Sequence, residues 1–177
     1  MTSPIELNAP TDFDFMIGSW KVKHRRLKER LKNCQEWLEF DGLSNTQKLL
    51  GGFGNVEDNQ LLLPDDHYRA VALRSYNAQT KLWSIWWLDG RMPGTLDTPV
   101  VGGFENGIGL FYANDTLNGQ AIRIRFTWIP HYSESDIQDT ELTEATAKTH
   151  PRWEQAFSTD DGKTWETNWT MQFIRCE

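Results

Sequence analysis

Residues 13–20 read Phe-Asp-Phe-Met-Ile-Gly-Ser-Trp and lead directly into an alternating segment. Gly18 has no Cβ and therefore allows a sharp turn, and Phe13 and Phe15 are expected to alternate inward before that turn. Trp20 starts the predicted strand and can bury roughly 150–250 Å2. An apolar entry, a glycine step and a large flat side chain predict the first strand of a small closed β-barrel, with Trp20 filling one end.

The last predicted strand covers residues 165–175, and one of its faces carries Trp169, Met171, Phe173 and Arg175. A closed barrel pairs its last strand with its first, so we expect Arg175 to lie over the ring of Trp20. Such a cation–π contact contributes roughly 0.5–2 kcal/mol. The alternative is that Arg175 is a solvated residue at a frayed strand end.

Alternation and turn signals predict the remaining strands. They fall at residues 34–42, 68–76, 82–88, 100–104, 108–113, 121–129 and 152–158. The glycine-rich stretch 49–55 matches neither a dinucleotide-binding motif nor a P-loop, so it is interpreted as a barrel corner. Short strands with short connections are typical of an antiparallel barrel or sandwich. We predict an all-β fold, an antiparallel barrel of about ten strands with little helix.

Gly18 and Trp20 near the start, with Arg175 near the end, resemble the pattern of the calycins, which include the lipocalins and the fatty-acid-binding proteins. Four stretches resemble a bacterial calycin-like family of unknown function. They are residues 13–26, 83–90, 123–128 and 152–169. The resemblance implies a lipocalin-like barrel and no established chemistry. Residues 131–150 do not match this pattern.

The length of 177 residues favours one domain. We predict an N-terminal arm at 1–12 and a single barrel domain at 13–177. Residues 131–150 form a long acidic loop within that domain. A loop of this length is either a lid, a binding loop, or a disordered or variable segment.

The formal net charge of −7 argues against general nucleic-acid binding. No apolar run approaches the roughly 18 residues of a membrane span. The first six residues have neither a basic nor an apolar region of a signal peptide, so we expect a cytoplasmic protein. Cys34 and Cys176 are expected to be free thiols.

The four histidines are scattered without the spacing of metal ligands, so neither a metal nor another cofactor is expected. The motif Ser158-x-Asp160-x-Gly162-x-Thr164-Trp165 matches the Asp-box of sialidase-type propellers. A propeller needs about four to eight blades, and this chain is too short for that. We therefore interpret Asp160, Gly162 and Trp165 as structural residues of one hairpin, together with Gly18, Trp20 and Arg175 in the barrel.

A pocket inside the barrel is the candidate functional site. The candidate ligand-binding residues are Trp20, His24, Arg26, Tyr68, Arg74, Trp87, Arg123 and Arg125. Their facing depends on the strand register, because a slip of one residue reverses every side chain. An interior with aromatic walls and one or two arginines suits an amphipathic ligand with an anionic group. The alternative is that the arginines form solvent-facing cross-strand pairs.

Three functions are consistent with these residues. The first is binding of a small hydrophobic or amphipathic molecule by a monomer or homodimer. The second is a metal-independent isomerase, cyclase or hydrolase, with His24 or Glu154 as the base, so whether the chain is an enzyme stays open. The third is a protein-interaction module that uses residues 21–32, where seven Lys or Arg accompany one Glu. The alternative for this basic strip is a solvated strand face and hairpin.

Overall fold

The structure, a computed structural model, describes residues 8–133 and 150–176. Within these residues the chain forms ten β-strands, and its helices are two three-residue 3-10 turns. The strands are β1 Gly18–Leu27, β2 Trp37–Leu49, β3 Gly54–Leu63, β4 Asp66–Asn77, β5 Leu82–Asp89, β6 Val100–Glu105, β7 Ile108–Leu117, β8 Gln120–Tyr132, β9 His150–Ser158 and β10 Glu166–Arg175. The predicted all-β fold with about ten strands and little helix is confirmed.

The sheet closes on itself. Each strand pairs in antiparallel fashion with the next along the chain, and β10 pairs with β1. The closing register sets Trp20 opposite Arg175 and Arg26 opposite Trp169. In the described part of the chain every strand has a neighbour on both sides, and the shortest pairing is that of β5 with β6, which joins Trp83, Ser84 and Ile85 to residues 100–102.

The two ends of the barrel differ. Residues 13–17 lie at the end where β1 starts, which we call the plug end. The opposite end, which we call the mouth, contains the connections β1–β2, β3–β4, β5–β6, β7–β8 and β9–β10. β8 ends and β9 begins at the plug end. The prediction of an acidic lid or loop concerns residues of which 134–149 lie outside the described part of the chain.

The contact between β1 and β10 at the plug end involves Arg175. Its guanidinium lies 4.1 Å from the centroid of the Trp20 ring. The same group donates hydrogen bonds to the carbonyl of Ile17 over 2.9 Å and to that of Phe15 over 3.1 Å. Gly18 has φ +119°, and a Cβ there would lie 2.7 Å from Nη1 of Arg175. The glycine therefore leaves the space in which the arginine binds.

Phe13 and Phe15 both pack in the core as expected, but through a 3-10 turn and not through the alternation of an extended segment. Residues 14–16 form a 3-10 turn, closed by a hydrogen bond from the Met16 amide to the Phe13 carbonyl over 3.0 Å. Phe13 and Met16 are thereby both buried, whereas Phe15 is half-buried. The Trp20 indole donates to the Met16 carbonyl over 2.8 Å, which ties the turn to the first strand. The turn thus closes the plug end.

The region between residues 34 and 63 departs most from the prediction. β2 extends to Leu49, beyond the predicted end at residue 42, and β3 was not predicted. The inward positions of β3 include Asn55, Glu57 and Asn59, all of which are buried. Because these positions are polar, the strand lacks the apolar alternation that identifies a half-buried strand in a sequence.

The Asp-box motif forms the β9–β10 turn. The carboxylate of Asp160 accepts hydrogen bonds from the Thr164 hydroxyl over 2.6 Å, from the Thr164 amide over 2.9 Å and from the Ser158 hydroxyl over 2.7 Å. These bonds hold the pKa of Asp160 well below its usual range. The Trp165 indole donates to the carbonyl of Gly162, whose φ is +86°. The turn is therefore fixed by local hydrogen bonds.

Candidate functional site

A cavity of about 240 Å3 lies inside the barrel and extends to loop residues at the mouth. Inward positions of β5, β8, β9 and β10 form its aromatic wall. These side chains are Trp87, Phe126, Trp128, Trp153, Trp169 and Phe173. Although the chain has nine Trp and nine Phe, they do not fill the interior. The cavity is slightly below the range of roughly 300–1,000 Å3 that is usual for drug-sized ligands.

Edge-to-face contacts join four of the six rings of the aromatic wall. Trp169 meets Trp87 at 6.0 Å and 81°, and it meets Trp153 at 5.5 Å and 84°. Phe126 packs against Trp153 at 4.8 Å and 77°. This geometry is favourable for aromatic pairs. The wall is therefore a preformed apolar surface for a flat ligand.

The floor of the cavity, toward the plug end, is polar. Arg74 and Glu57 form an ion pair, and their side chains are only 2% and 3% exposed. Arg74 also donates to Oδ1 of Asn55 over 2.8 Å and lies 5.1 Å from the ring centroids of Phe13 and Trp128. A buried charge is tolerated when it is paired and hydrogen-bonded, and this pair leaves the floor with no net charge.

Two arginines at the mouth, Arg26 and Arg30, form no salt bridge within residues 8–133 and 150–176, although carboxylates act on them at longer range. Arg26 lies over the rings of Phe40 and Trp169 and donates to the Tyr68 hydroxyl over 3.4 Å. The hydrogen bond from Arg91, and to a smaller extent the charge of Arg26, lower the pKa of Asp89. Burial, and then the charge of Arg26, lower the pKa of Arg30 to about 10, and the charges of Glu166 and Asp97 oppose this effect. The two guanidinium groups therefore repel each other beside the cavity.

The third arginine at the mouth is fully paired. Arg91 binds both carboxylate oxygens of Asp89 and reaches Asp66, and its guanidinium lies 3.6 Å from the Tyr68 ring centroid. These hydrogen bonds raise the pKa of Arg91 further above its ordinary value. Burial, followed by the charges of Asp115 and Asp89, raises the pKa of Asp97, which also lines the cavity. Arg91 is thus held at the mouth by Asp89 and Asp66, and its own positive charge is paired.

His24 is buried in the barrel but does not line the cavity. Its ring stacks on Phe40 at 4.6 Å and 7°, and its Nδ1 accepts a hydrogen bond from the Trp169 indole over 3.3 Å. Burial, with a smaller effect from the charge of Arg26, lowers the pKa of His24 to about 3. The ring of His24 is thus packed between Phe40 and Trp169, with its Nδ1 occupied by the indole hydrogen bond.

Four of the eight candidate ligand residues line the cavity: Arg26, Tyr68, Arg74 and Trp87. The other four are Trp20, His24, Arg123 and Arg125. Trp20 packs at the plug end. Arg123 and Arg125 are on the outer face of β8, where their guanidinium groups lie 5.1 Å from the Tyr112 ring centroid and 4.4 Å from the Trp165 ring centroid. The register of β8 turns Ile124 and Phe126 inward and these arginines outward.

The second candidate base, Glu154, is also on the outer face. It pairs with Arg152 two residues earlier on β9, with Oε1 2.7 Å from Nε. The inward positions of this strand are Trp153 and Gln155 instead, and both line the cavity. Glu154 is therefore separated from the cavity by the strand itself.

The sequence analysis missed eight polar residues of the cavity, which are Arg30, Glu57, Asn59, Asp89, Arg91, Thr95, Asp97 and Gln155. Glu57 and Asn59 belong to β3, which has no recognisable alternation. Arg30 and Arg91 belong to loops at the mouth. They lie beside the cavity because the fold brings these loops close to strands that are distant in the sequence. Gln155 had a signal, because it shares the parity of Trp153 on a predicted strand.

The basic strip 21–32 faces acidic side chains. Lys23 pairs with Asp41 over 2.8 Å, and Arg25 pairs with Glu39 over 3.3 Å. Lys28 likewise pairs with Glu36. The first two are exposed cross-strand pairs between β1 and β2, and the third lies in the loop that joins these strands. Three of the seven basic residues of the strip are thus paired on the surface of the hairpin.

Neither a family model nor a curated protein matches the chain in sequence.

Among the described residues, no three His, Cys, Asp or Glu side chains are grouped closely enough to hold a metal ion. None of the helices in residues 8–133 and 150–176 has the length and apolar character that a membrane crossing requires. Cys34 and Cys176 are free thiols. The cavity and its arginines are thus the basis for a functional assignment.

Proposed function

We propose that the protein binds a small amphipathic molecule whose apolar body enters the barrel and whose anionic group lies at the mouth. The observation that carries this proposal is the pair of guanidinium groups, Arg26 and Arg30, beside an aromatic cavity. Two like charges that repel each other in a partly buried place are stabilised by an anion between them. Arginine also presents a planar fork of donors that matches a carboxylate.

The hydroxyl of Tyr68, beside Arg26, supports the same orientation of the ligand, with its anionic group at the mouth. Tyr68 accepts a hydrogen bond from Arg26, and burial raises the pKa of Tyr68, so its hydroxyl keeps its proton. A protonated phenol can donate to a carboxylate oxygen. Arg26 and Tyr68 can therefore bind the anion together, while the aromatic wall excludes water from the body of the ligand.

Isothermal titration calorimetry with phenylpropanoate and with its uncharged counterpart phenylpropanol tests the proposal. We expect the wild-type protein to bind the acid about tenfold tighter than the alcohol, since a hydrogen bond to a charged group contributes roughly 1.5–3 kcal/mol. The double variant Arg26→Gln/Arg30→Gln should lose this preference. Arg25→Gln is the matched control, because Arg25 points outward and pairs with Glu39.

Two results would contradict the proposal. One is an equal affinity of the wild-type protein for the acid and the alcohol. The other is a double variant that keeps the preference for the acid. Native mass spectrometry of the purified protein adds an independent measurement, because a non-covalent adduct gives the mass of a natural ligand directly.

The kinship with the calycin-like family of unknown function is part of the same proposal. Its support is the closed ten-strand antiparallel barrel and the arrangement of Gly18, Trp20 and Arg175 at one end. A cytoplasmic location and a monomeric or dimeric state also belong to the proposal, and sedimentation equilibrium measures the latter. No observation favours catalysis by His24 or Glu154, so an enzyme is not proposed.

A further inference from the structure

The floor of the cavity contains a carboxylate with one oxygen left over. Glu57 uses Oε2 to accept the hydrogen bond of Arg74. No residue in 8–133 or 150–176 donates to its other oxygen, Oε1, although the side chain is only 3% exposed and lines the cavity. An ionised carboxylate has about four acceptor positions, and leaving them unused in a buried place costs free energy. This oxygen is therefore available to a donor inside the cavity, either water or a group of a bound molecule.

A second acceptor lies on the same strand and the same face. The amide nitrogen of Asn59 donates to the backbone carbonyl of Glu57 over 3.2 Å, which leaves Oδ1 of Asn59 as an acceptor. Asn59 is 3% exposed and lines the cavity beside Glu57. Two buried acceptors thus stand two residues apart, and both are available to a donor on an occupant.

We infer that the buried end of the ligand carries a hydroxyl group, which donates to Glu57 and Asn59 at the floor. This inference rests on the function proposed above and adds a second polar end to the ligand. A hydroxyl is favoured over an ammonium group because Arg74 already neutralises Glu57, and a further cation would leave a buried net charge. The ligand class is then a hydroxy acid with a flat apolar body, its carboxylate at the mouth and its hydroxyl at the floor.

The test compares three acids on the wild-type protein: para-hydroxyphenylpropanoate, para-fluorophenylpropanoate and phenylpropanoate. The fluorine atom is close to a hydroxyl in size but donates no hydrogen bond. We expect the affinity for the hydroxy acid, measured by isothermal titration calorimetry, to be at least about tenfold higher than that for the fluoro acid. Equal affinities, or tighter binding of the fluoro acid, overturn the inference and leave the proposed function standing. If none of the three acids binds, the proposed function fails and this inference fails with it.

A double variant locates the hydroxyl. Glu57→Leu/Arg74→Met removes both members of the ion pair together, so no unpaired charge is left in the barrel. We expect this variant to bind the hydroxy and fluoro acids equally, within about threefold. A variant that folds and keeps the tenfold preference shows that the hydroxyl is bound elsewhere and overturns the inference. If circular dichroism shows that it does not fold, the wild-type comparison alone decides.

Discussion

The indole of Trp169 donates its hydrogen bond to Nδ1 of His24 over 3.3 Å, between two strands that pair to close the barrel. Because the indole nitrogen can only donate, Nδ1 must be the unprotonated nitrogen of a neutral imidazole. Protonation of His24 would break this bond and place a charge in the core. The stability of the barrel is therefore linked to the protonation of one histidine.

The linkage has a definite sign. Burial lowers the folded-state pKa of His24 to about 3 from the ordinary 6.5, so between these values the unfolded chain binds the proton and the folded chain does not. The stabilising contribution of neutral His24 is therefore fully present above pH 6.5 and is lost as the pH falls toward 3. We expect His24 to reduce the free energy of unfolding by about 2 kcal/mol at pH 5 relative to pH 7.

Urea denaturation of wild type and His24→Gln at pH 7 and pH 5 measures this effect. The glutamine carbonyl can accept the Trp169 hydrogen bond but does not titrate. We expect the loss of stability between the two pH values to be about 2 kcal/mol smaller in the variant. An equal loss in both proteins would show that His24 is not the group responsible.

Gly42 provides the space for the His24 ring. A Cβ at residue 42 would lie 2.5 Å from Nε2 of His24 and 2.8 Å from the Gln60 carbonyl oxygen, and the latter belongs to the backbone of β3. We expect Gly42→Ala to destabilise the protein by roughly 1–3 kcal/mol, the usual cost of overpacking.

The matched control is Gly94→Ala, because a Cβ at residue 94 meets no atom within 4 Å. Its free energy of unfolding should stay within about 0.5 kcal/mol of wild type. Thermal denaturation of both variants gives the comparison. Equal midpoints would mean that β2 moves to accommodate the new methyl group.

Arg175 contributes to stability through its fork of donors. We expect Arg175→Gln to lower the free energy of unfolding by roughly 1–3 kcal/mol, since it loses the contact with Trp20 and two hydrogen bonds to backbone carbonyls. Arg175→Lys should recover only part of this loss, because an ammonium group cannot reach both carbonyls in the same plane. Lys21→Gln, on the exposed face of β1, is the control for removal of a positive charge, and an equally large effect there would contradict the assignment.

Filling the cavity should abolish binding without loss of the fold. Ala72 lines the cavity and pairs with Glu57 across β3 and β4. We expect Ala72→Met to weaken the affinity for phenylpropanoate at least about tenfold, with a change in stability below about 1.5 kcal/mol. Leu73→Met, at the next position and exposed on the outer face, should bind like wild type. Unchanged affinity in Ala72→Met would place the ligand outside the barrel.

The barrel could be predicted because most of its strands carry a regular signal. On β1, Trp20 and Val22 are buried and Lys21 and Lys23 are exposed, which is the alternation that a half-buried strand imposes. On β10 the sequence alternates in the same way, with Trp169, Met171 and Phe173 separated by Thr170 and Gln172, although Thr170 is buried as well. Large apolar side chains on one face of a strand fix which face is buried. The fold class and the pairing of the first strand with the last could therefore be predicted from the sequence.

The site was less accessible for a physical reason. The interior of β3 is polar because it forms the floor of a cavity, and a polar interior removes the signal that identifies a strand. The same property that makes Glu57 and Asn59 of functional interest therefore concealed them. Arg30 was hidden for a different reason, since the conformation of a loop, including the positive φ of 58° at Leu31, is set by tertiary contacts such as the bond from the Leu31 amide to Glu166.

The hydrogen bond from Arg175 to Ile17 joins residues 158 positions apart. Every other strand pair of the barrel links neighbours along the chain, and such local pairs can form before the ends meet. Joining β1 to β10 closes a loop of nearly the whole chain, and this closure costs conformational entropy. That cost is offset only when the contacts at the plug end form together. We therefore expect refolding to be slow, on the order of milliseconds to seconds, with an open curved sheet as the species that precedes the closed barrel.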